Sequence, residues 1–298
     1  MQDTSLNLRP GEMVEVRSPQ EIGATLDAGG ALEALPFMPE MREFCGRRFR
    51  VFRRADRTCI DGLGLVRMKD AVFLEEVRCD GAAHAGCDRG CLVFWKEAWL
   101  RRIEPTAAPS PAGPPVRAPV TSADTSVRCQ STELVRATSR LPTWHLGQYF
   151  DALRGENVSL RHLAYSLFIT GRDLVRHRWL SGARYAAVPG ALRRTPTESL
   201  NLQPGEDVRV KSADEIRATL DAAGKNRGLM FNKEMLAFCD QVHRVRSRVE
   251  RMVNELTGAV VPMTHTVILD RVTCNGCSMR ACPRDSFHYW REIWLRRA

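Results

Sequence analysis

One cysteine-rich stretch occurs twice in this chain. Cys79 to Arg102 reads CDGAAHAGCDRGCLVFWKEAWLRR, and Cys274 to Arg297 reads CNGCSMRACPRDSFHYWREIWLRR. The copies align without a gap, so Cys79 falls on Cys274, Cys87 on Cys282, Trp95 on Trp290 and Trp99 on Trp294. Two cysteines do not align: Cys91 faces Ser286, and Cys277 faces Ala82. A disulfide does not easily survive such a move. A tetrahedral ion does, because it needs four ligands in space and is indifferent to which turn supplies each. A further thiol lies upstream in both copies, Cys45 in MREFCG and Cys239 in MLAFCD. The expectation is two four-cysteine metal sites, Cys45, Cys79, Cys87 and Cys91 in one and Cys239, Cys274, Cys277 and Cys282 in the other.

The duplication extends upstream. SLNLRPGEMVEVRSPQEIGATLDAGG from Ser5 matches SLNLQPGEDVRVKSADEIRATLDAAG from Ser199, so each copy is a unit able to fold alone. Pro10-Gly11 and Pro204-Gly205 mark turns. Alternation at Met13–Val16 and 207–210 predicts a strand with one buried face. Ser18 and Ser212, each with a glutamate three residues on, have the spacing of a helix capping box. Short helices are expected at 38–45 and 230–239. Two or three antiparallel strands should follow and run into Cys79 and Cys274, with Asp61-Gly62 and Thr257-Gly258 as turns. In FWKEAWLRR and YWREIWLRR the tryptophans stand at i and i+4, one face of a helix. They read as a core stripe rather than a platform for bases. Glu97 and Glu292 read as ion-pair partners.

At 298 residues the chain has room for two or three domains. The expected divisions are repeat 1 at 1–103, a Pro/Ala-rich linker at 104–127, a helical module at 128–198 and repeat 2 at 199–298. In the middle module a helix capped by Thr143 and stopped at Gly155 should precede one helix from Asn157 to Leu180, or two broken at Gly171. The net charge is +9, and residues 128–197 hold eleven arginines against four acids. No lysine is among them, which suits planar contacts to phosphate or carboxylate. Arg161, Arg172, Arg176 and Arg178 are the candidate contacts to an acidic partner, nucleic acid or another protein. No signal-peptide pattern and no apolar run of membrane-spanning length is evident. A cytoplasmic, reducing setting follows, in which clustered thiols bind metal more often than they form disulfides.

Four thiolates form a closed shell around zinc, which is the expected ion at both sites. An iron–sulfur cluster is the alternative occupant. Cys59 and Cys129 are left over, as lone buried thiols or reactive ones, and His84 is an alternative ligand in repeat 1. His145, His162 and His177 could in principle pair with Cys129 as a nucleophilic centre. Neither a phosphate-binding glycine loop nor a zinc-protease or serine-hydrolase motif is present. A non-catalytic zinc-binding accessory protein is therefore the leading expectation. The alternatives are a metal-dependent hydrolase or thiol enzyme in repeat 1, and an Fe–S or thiol redox sensor.

LNLRPGEMVEV looks like the first turn and strand of small SH3-like barrels. The whole repeat, with CDGAAHAGC and FWKEAWLRR, resembles a family of uncharacterised bacterial proteins carrying such a unit. The resemblance covers both repeats but not the middle module, and it brings no catalytic residues. It implies an α+β fold: two small SH3-like β-barrel repeats, each with a four-cysteine metal site, flanking an α-helical middle module. Most SH3-like barrels bind proteins or nucleic acids, an analogy of fold alone.

Overall fold

The structure, a computed structural model, describes residues 5–60, 62–104, 127–142, 144–156, 158–179 and 187–298. The side chains of 173, 174 and 176–179 lie outside the description. So do the expected linker core, the cap at Thr143 and the turn residue Asp61.

The protein mixes α and β structure and is mostly sheet. Met13–Val16 lies between Arg48–Arg54 and Leu100–Arg102, and beyond Arg48–Arg54 come Ala71–Arg78 and Leu92–Lys96, all antiparallel. Asp207–Val210, Val242–Arg248, Thr266–Thr273, Phe287–Arg291 and Leu295–Arg297 build a second five-stranded sheet in the same order. Both carry a register shift at the same place, between Val51 and Arg53 and between Val245 and Ser247. Leu92–Lys96 and Leu100–Arg102 form opposite edges, yet only the 3-10 turn Glu97–Trp99 separates them. Three residues cannot cross a flat five-stranded sheet, at about 4.8 Å per strand spacing. The sheet therefore curls until its edges approach, and Glu292–Trp294 does the same in the second sheet.

That turn corrects the helical reading of the tryptophan segment. Trp95 lies in the strand Leu92–Lys96 and Trp99 ends the 3-10 turn, so their spacing comes from a sharp corner rather than a helix face. All four tryptophans are fully buried. Phe37 meets Trp99 edge-on at 5.3 Å between ring centroids, and Phe231 meets Trp294 likewise at 5.3 Å. Glu97 is buried at the start of the first corner, accepting from the amides of Asn7 and Leu8 and pairing with Arg54 at 2.8 Å. Glu292 repeats this with the amides of Leu200, Asn201 and Leu202 and with Arg248. Both capping boxes form, at Ser18 with Glu21 and at Ser212 with Glu215.

The chain between the sheets does not stand apart from them. Helix Gln130–Ala137 lies on the first core: Leu134 is buried there, and the Gln130 amide group bonds both main-chain groups of Phe94. Ser139–Arg140 adds a strand to the hairpin of Arg57–Ile60 and Gly64–Arg67. Helices Gly147–Gly155 and Leu160–Trp179 pack on the second cysteine loop through Ala152, Leu163 and Ala281. Leu160–Trp179 runs as one helix through Gly171, the first of the two expected alternatives. No helix among the described residues is long and apolar enough to cross a membrane.

Candidate metal centres

The loops that follow Ala71–Arg78 and Thr266–Thr273 share one backbone path. Cys79 N–H donates to Cys91 C=O at 2.8 Å, and Cys274 N–H donates to Ser286 C=O at 2.7 Å. Gly81 and Gly276 then turn with φ of +73° and +71°. No side chain fits there: a Cβ on Gly81 would lie 1.8 Å from Cys87 O, and one on Gly276 would lie 2.5 Å from the main chain of Cys282. The close approach brings the second matched cysteine over the first. Each glycine amide also donates to the preceding sulfur, Cys79 Sγ at 3.3 Å and Cys274 Sγ at 3.2 Å. Amides aimed at sulfur favour thiolate, the form that binds metal.

In the first half, Cys79, Cys87, Cys91 and Cys129 line one small cavity together with His84 and Val253. Its free volume is about 30 Å³, room for one ion or one or two waters. Cys129 enters as the N-cap residue of Gln130–Ala137, its N–H donating to Thr132 Oγ1 at 2.9 Å. Val253 N–H donates to Cys87 Sγ at 3.4 Å, and Ser131 Oγ donates to Cys91 Sγ at 3.6 Å. Arg89 and Arg284 are near enough to Cys91 for their charges to interact with it. Cys45 is not among the residues lining this cavity. It closes the 3-10 helix Pro39–Phe44 and packs against the first core.

Glu40, on that 3-10 helix, adds oxygen to the set. Its Oε1 lies 2.7 Å from His84 Nε2 and accepts from Cys79 Sγ at 3.4 Å. Among the described residues, Glu40, Cys79 and His84 are the one group of three whose ligand atoms all lie within 4.8 Å of one another. Burial raises the Glu40 carboxyl, but the hydrogen bond and charge of His84 bring it below its usual range. His84 Nδ1 is buried without a hydrogen-bond partner.

In the second half, Glu234 stands where Glu40 stands in the first. It accepts from Cys277 Sγ at 3.3 Å, from Asn275 N–H and from Ser278, and it also bonds Cys274. Cys282 is buried against Leu65, Leu141, Cys59 and Met279. Cys239 ends the 3-10 helix Lys233–Phe238 and packs on the second core, as Cys45 does on the first. All ten cysteines are free thiols.

Burial governs the acidity of these sulfurs. It pushes Cys87 up to about 11 and Cys277 up to about 12, and it lifts Cys79, Cys274 and Cys282 well above the usual thiol range. Thiols held protonated in this way are poor nucleophiles. A bound cation reverses that, since a coordinating thiol loses its proton outright.

The two cysteines left over in the sequence thus stand beside the clusters, while the upstream pair does not. The signal in Cys129 was its place at a helix start, Cys129-Gln130 opening a run with helical spacing. For Cys59 no signal exists in the chain order, because the cysteine it packs against, Cys282, is more than two hundred residues away.

Of the four arginines expected to contact a partner, Arg161 and Arg172 are exposed on Leu160–Trp179. Arg176 and Arg178 lie in the same helix, with side chains outside the described residues. Arg161, Tyr165, Phe168, Arg172 and Val175 follow one helical stripe opposite buried Leu163, Ser166 and Ile169. Tyr165 is 53% exposed and Phe168 63%, and Trp144 is 82% exposed.

Comparison with family models, with curated proteins and with solved structures finds no match. The functional reading rests on the site itself.

Proposed function

We propose that this chain is a non-catalytic, zinc-binding protein of the cytoplasm, a duplicated SH3-like unit that holds an acidic partner on its middle helices. The gathering of Cys79, Cys87, Cys91 and Cys129 around one cavity carries the reading. Four sulfurs from two chain segments, the 79–91 loop and the start of helix Gln130–Ala137, with amide and hydroxyl donors aimed at them, suit an ion whose shell is closed and structural. Small β units gain folding energy from such an ion. Strand order fits an SH3-like barrel, with its 3-10 turn between the two strands that become opposite edges. A buried, high-pKa thiol set favours a structural role over thiol catalysis.

The acidic partner in this reading is single-stranded nucleic acid. Arginines supply charge to phosphates, and exposed rings between them supply stacking surfaces for bases. A gel-shift titration of the full chain with a single-stranded oligonucleotide over rising salt tests this. Affinity should fall linearly in log salt, Arg161→Gln should lower the slope by about one, and Phe168→Ala should cost about 1–3 kcal/mol. Binding that ignores salt, or none, removes the nucleic-acid partner.

A further inference from the structure

Glu40, Cys79 and His84 come from two parts of the first half that the fold presses together. Glu40 stands on the 3-10 helix Pro39–Phe44, and Cys79 follows the strand Ala71–Arg78. His84 is held by main-chain bonds on both sides. Its N–H donates to Gly81 C=O at 2.9 Å, and Cys87 N–H donates to His84 C=O at 3.1 Å. The residue is only 3% exposed.

The group offers a carboxylate, a thiol and an imidazole, with one ligand atom from each inside 4.8 Å of the others. Two further atoms of the group, Glu40 Oε2 and His84 Nδ1, are buried without a hydrogen-bond partner. Such atoms are few in a folded protein, and an ion is one of the partners that accounts for them. Bonds of about 2.0–2.3 Å at tetrahedral angles set ligand atoms about 3.3–3.7 Å apart. Glu40 Oε1 lies 3.4 Å from Cys79 Sγ and 2.7 Å from His84 Nε2. An ion would therefore take the place of the shared proton with a shift of about half an ångström. Thiolate and imidazole both suit zinc, whereas magnesium and calcium want shells of oxygen.

The second half keeps the glutamate and the first thiol but lacks the imidazole. Glu234 bonds Cys274 and Cys277. Met279 takes the place of His84, its N–H donating to Gly276 C=O at 2.9 Å. Among the described residues, the mixed group belongs to the first half alone.

We propose that Glu40, Cys79 and His84 form a zinc site of their own, three protein ligands of three kinds with the fourth tetrahedral position open to water. Cys79 and His84 line the thiol cavity and Glu40 does not, so the site adjoins that cavity rather than lying inside it. Cys79 is common to both, and a thiolate sulfur has lone pairs enough to bridge two ions. The mixed site goes beyond the four-thiol reading and does not depend on it.

The test is zinc per chain, by atomic absorption, in the full-length protein loaded with Zn²⁺ and freed of excess in a buffer containing Mg²⁺. X-ray absorption at the zinc edge accompanies it. Glu40→Gln and His84→Met, the latter installing the residue found at 279, should each hold one ion fewer than the wild type. Imidazole scattering should be present at the wild-type edge, vanish in His84→Met and persist in Cys129→Ser. A wild-type edge without imidazole scattering, or an unchanged count in either variant, overturns the mixed site and leaves the four-thiol reading standing. A count lowered in both variants but not in Cys87→Ser or Cys129→Ser overturns the four-thiol reading and leaves the mixed site standing. Wild type without zinc overturns both.

Discussion

Around Cys79 and around Cys274 the backbone follows the same turn, with Gly81 and Gly276 pressed onto the main chain of Cys87 and Cys282. What surrounds the two loops differs. The first meets the N-cap of a helix, Cys129, and carries Cys91; the second meets a strand of the other half, Cys59, and carries Cys277. The backbone path is shared, while the thiols around it differ. A loop held by glycine turns keeps its shape through main-chain bonds, whereas thiols can move to any wall that faces the same point. Tetrahedral coordination tolerates that exchange.

The comparison is sharpest where the halves use matched residues differently. Arg57 is 2% exposed, pairs with buried Glu156 and donates to the carbonyls of Arg280 and Ala281. Its counterpart Arg251 is exposed. Glu156→Gln leaves a buried guanidinium without its charge partner and should cost about 3–5 kcal/mol. Arg251→Met should change stability by no more than about 0.5 kcal/mol. Urea unfolding of both variants measures this, and equal costs would show that the halves are not specialised as described.

A smaller effect should be the same on both sides. Ser18→Ala and Ser212→Ala each remove one half of a capping box and should each cost about 1 kcal/mol. The main-chain amide and hydroxyl of Ser18 hold Glu21 down to about 2, against a usual value of 4.5, and Ser212 holds Glu215 below its usual value likewise. A folded-state pKa below the unfolded one gives stability that is complete above pH 4.5 and fades as pH falls toward 2. The serine variants should therefore converge on the wild type at acid pH. An unequal loss between the two would break the equivalence of the caps.

Much of the strand and cap pattern was readable because it depends on neighbours in sequence. Met13–Val16 alternates, and Ser18 with Glu21 needs only three residues of spacing. Leu92–Lys96 was misread because all five side chains are buried: the curled sheet and the helix above it cover both faces, which erases the period of two. The helix period then fitted two tryptophans separated by a corner. The thiol sets were half legible. Matched cysteines announce themselves by alignment, and Cys45 and Cys239, which align equally well, pack against the two cores. Cys59 reaches its cluster only through the packing of one half on the other, a fact no local spacing encodes.

X-ray absorption at the zinc edge of the purified full-length chain tests the central claim most directly. Zinc with sulfur in its first shell at about 2.3 Å is the expected result. Protein free of metal, or a shell made of nitrogen and oxygen alone, would contradict it.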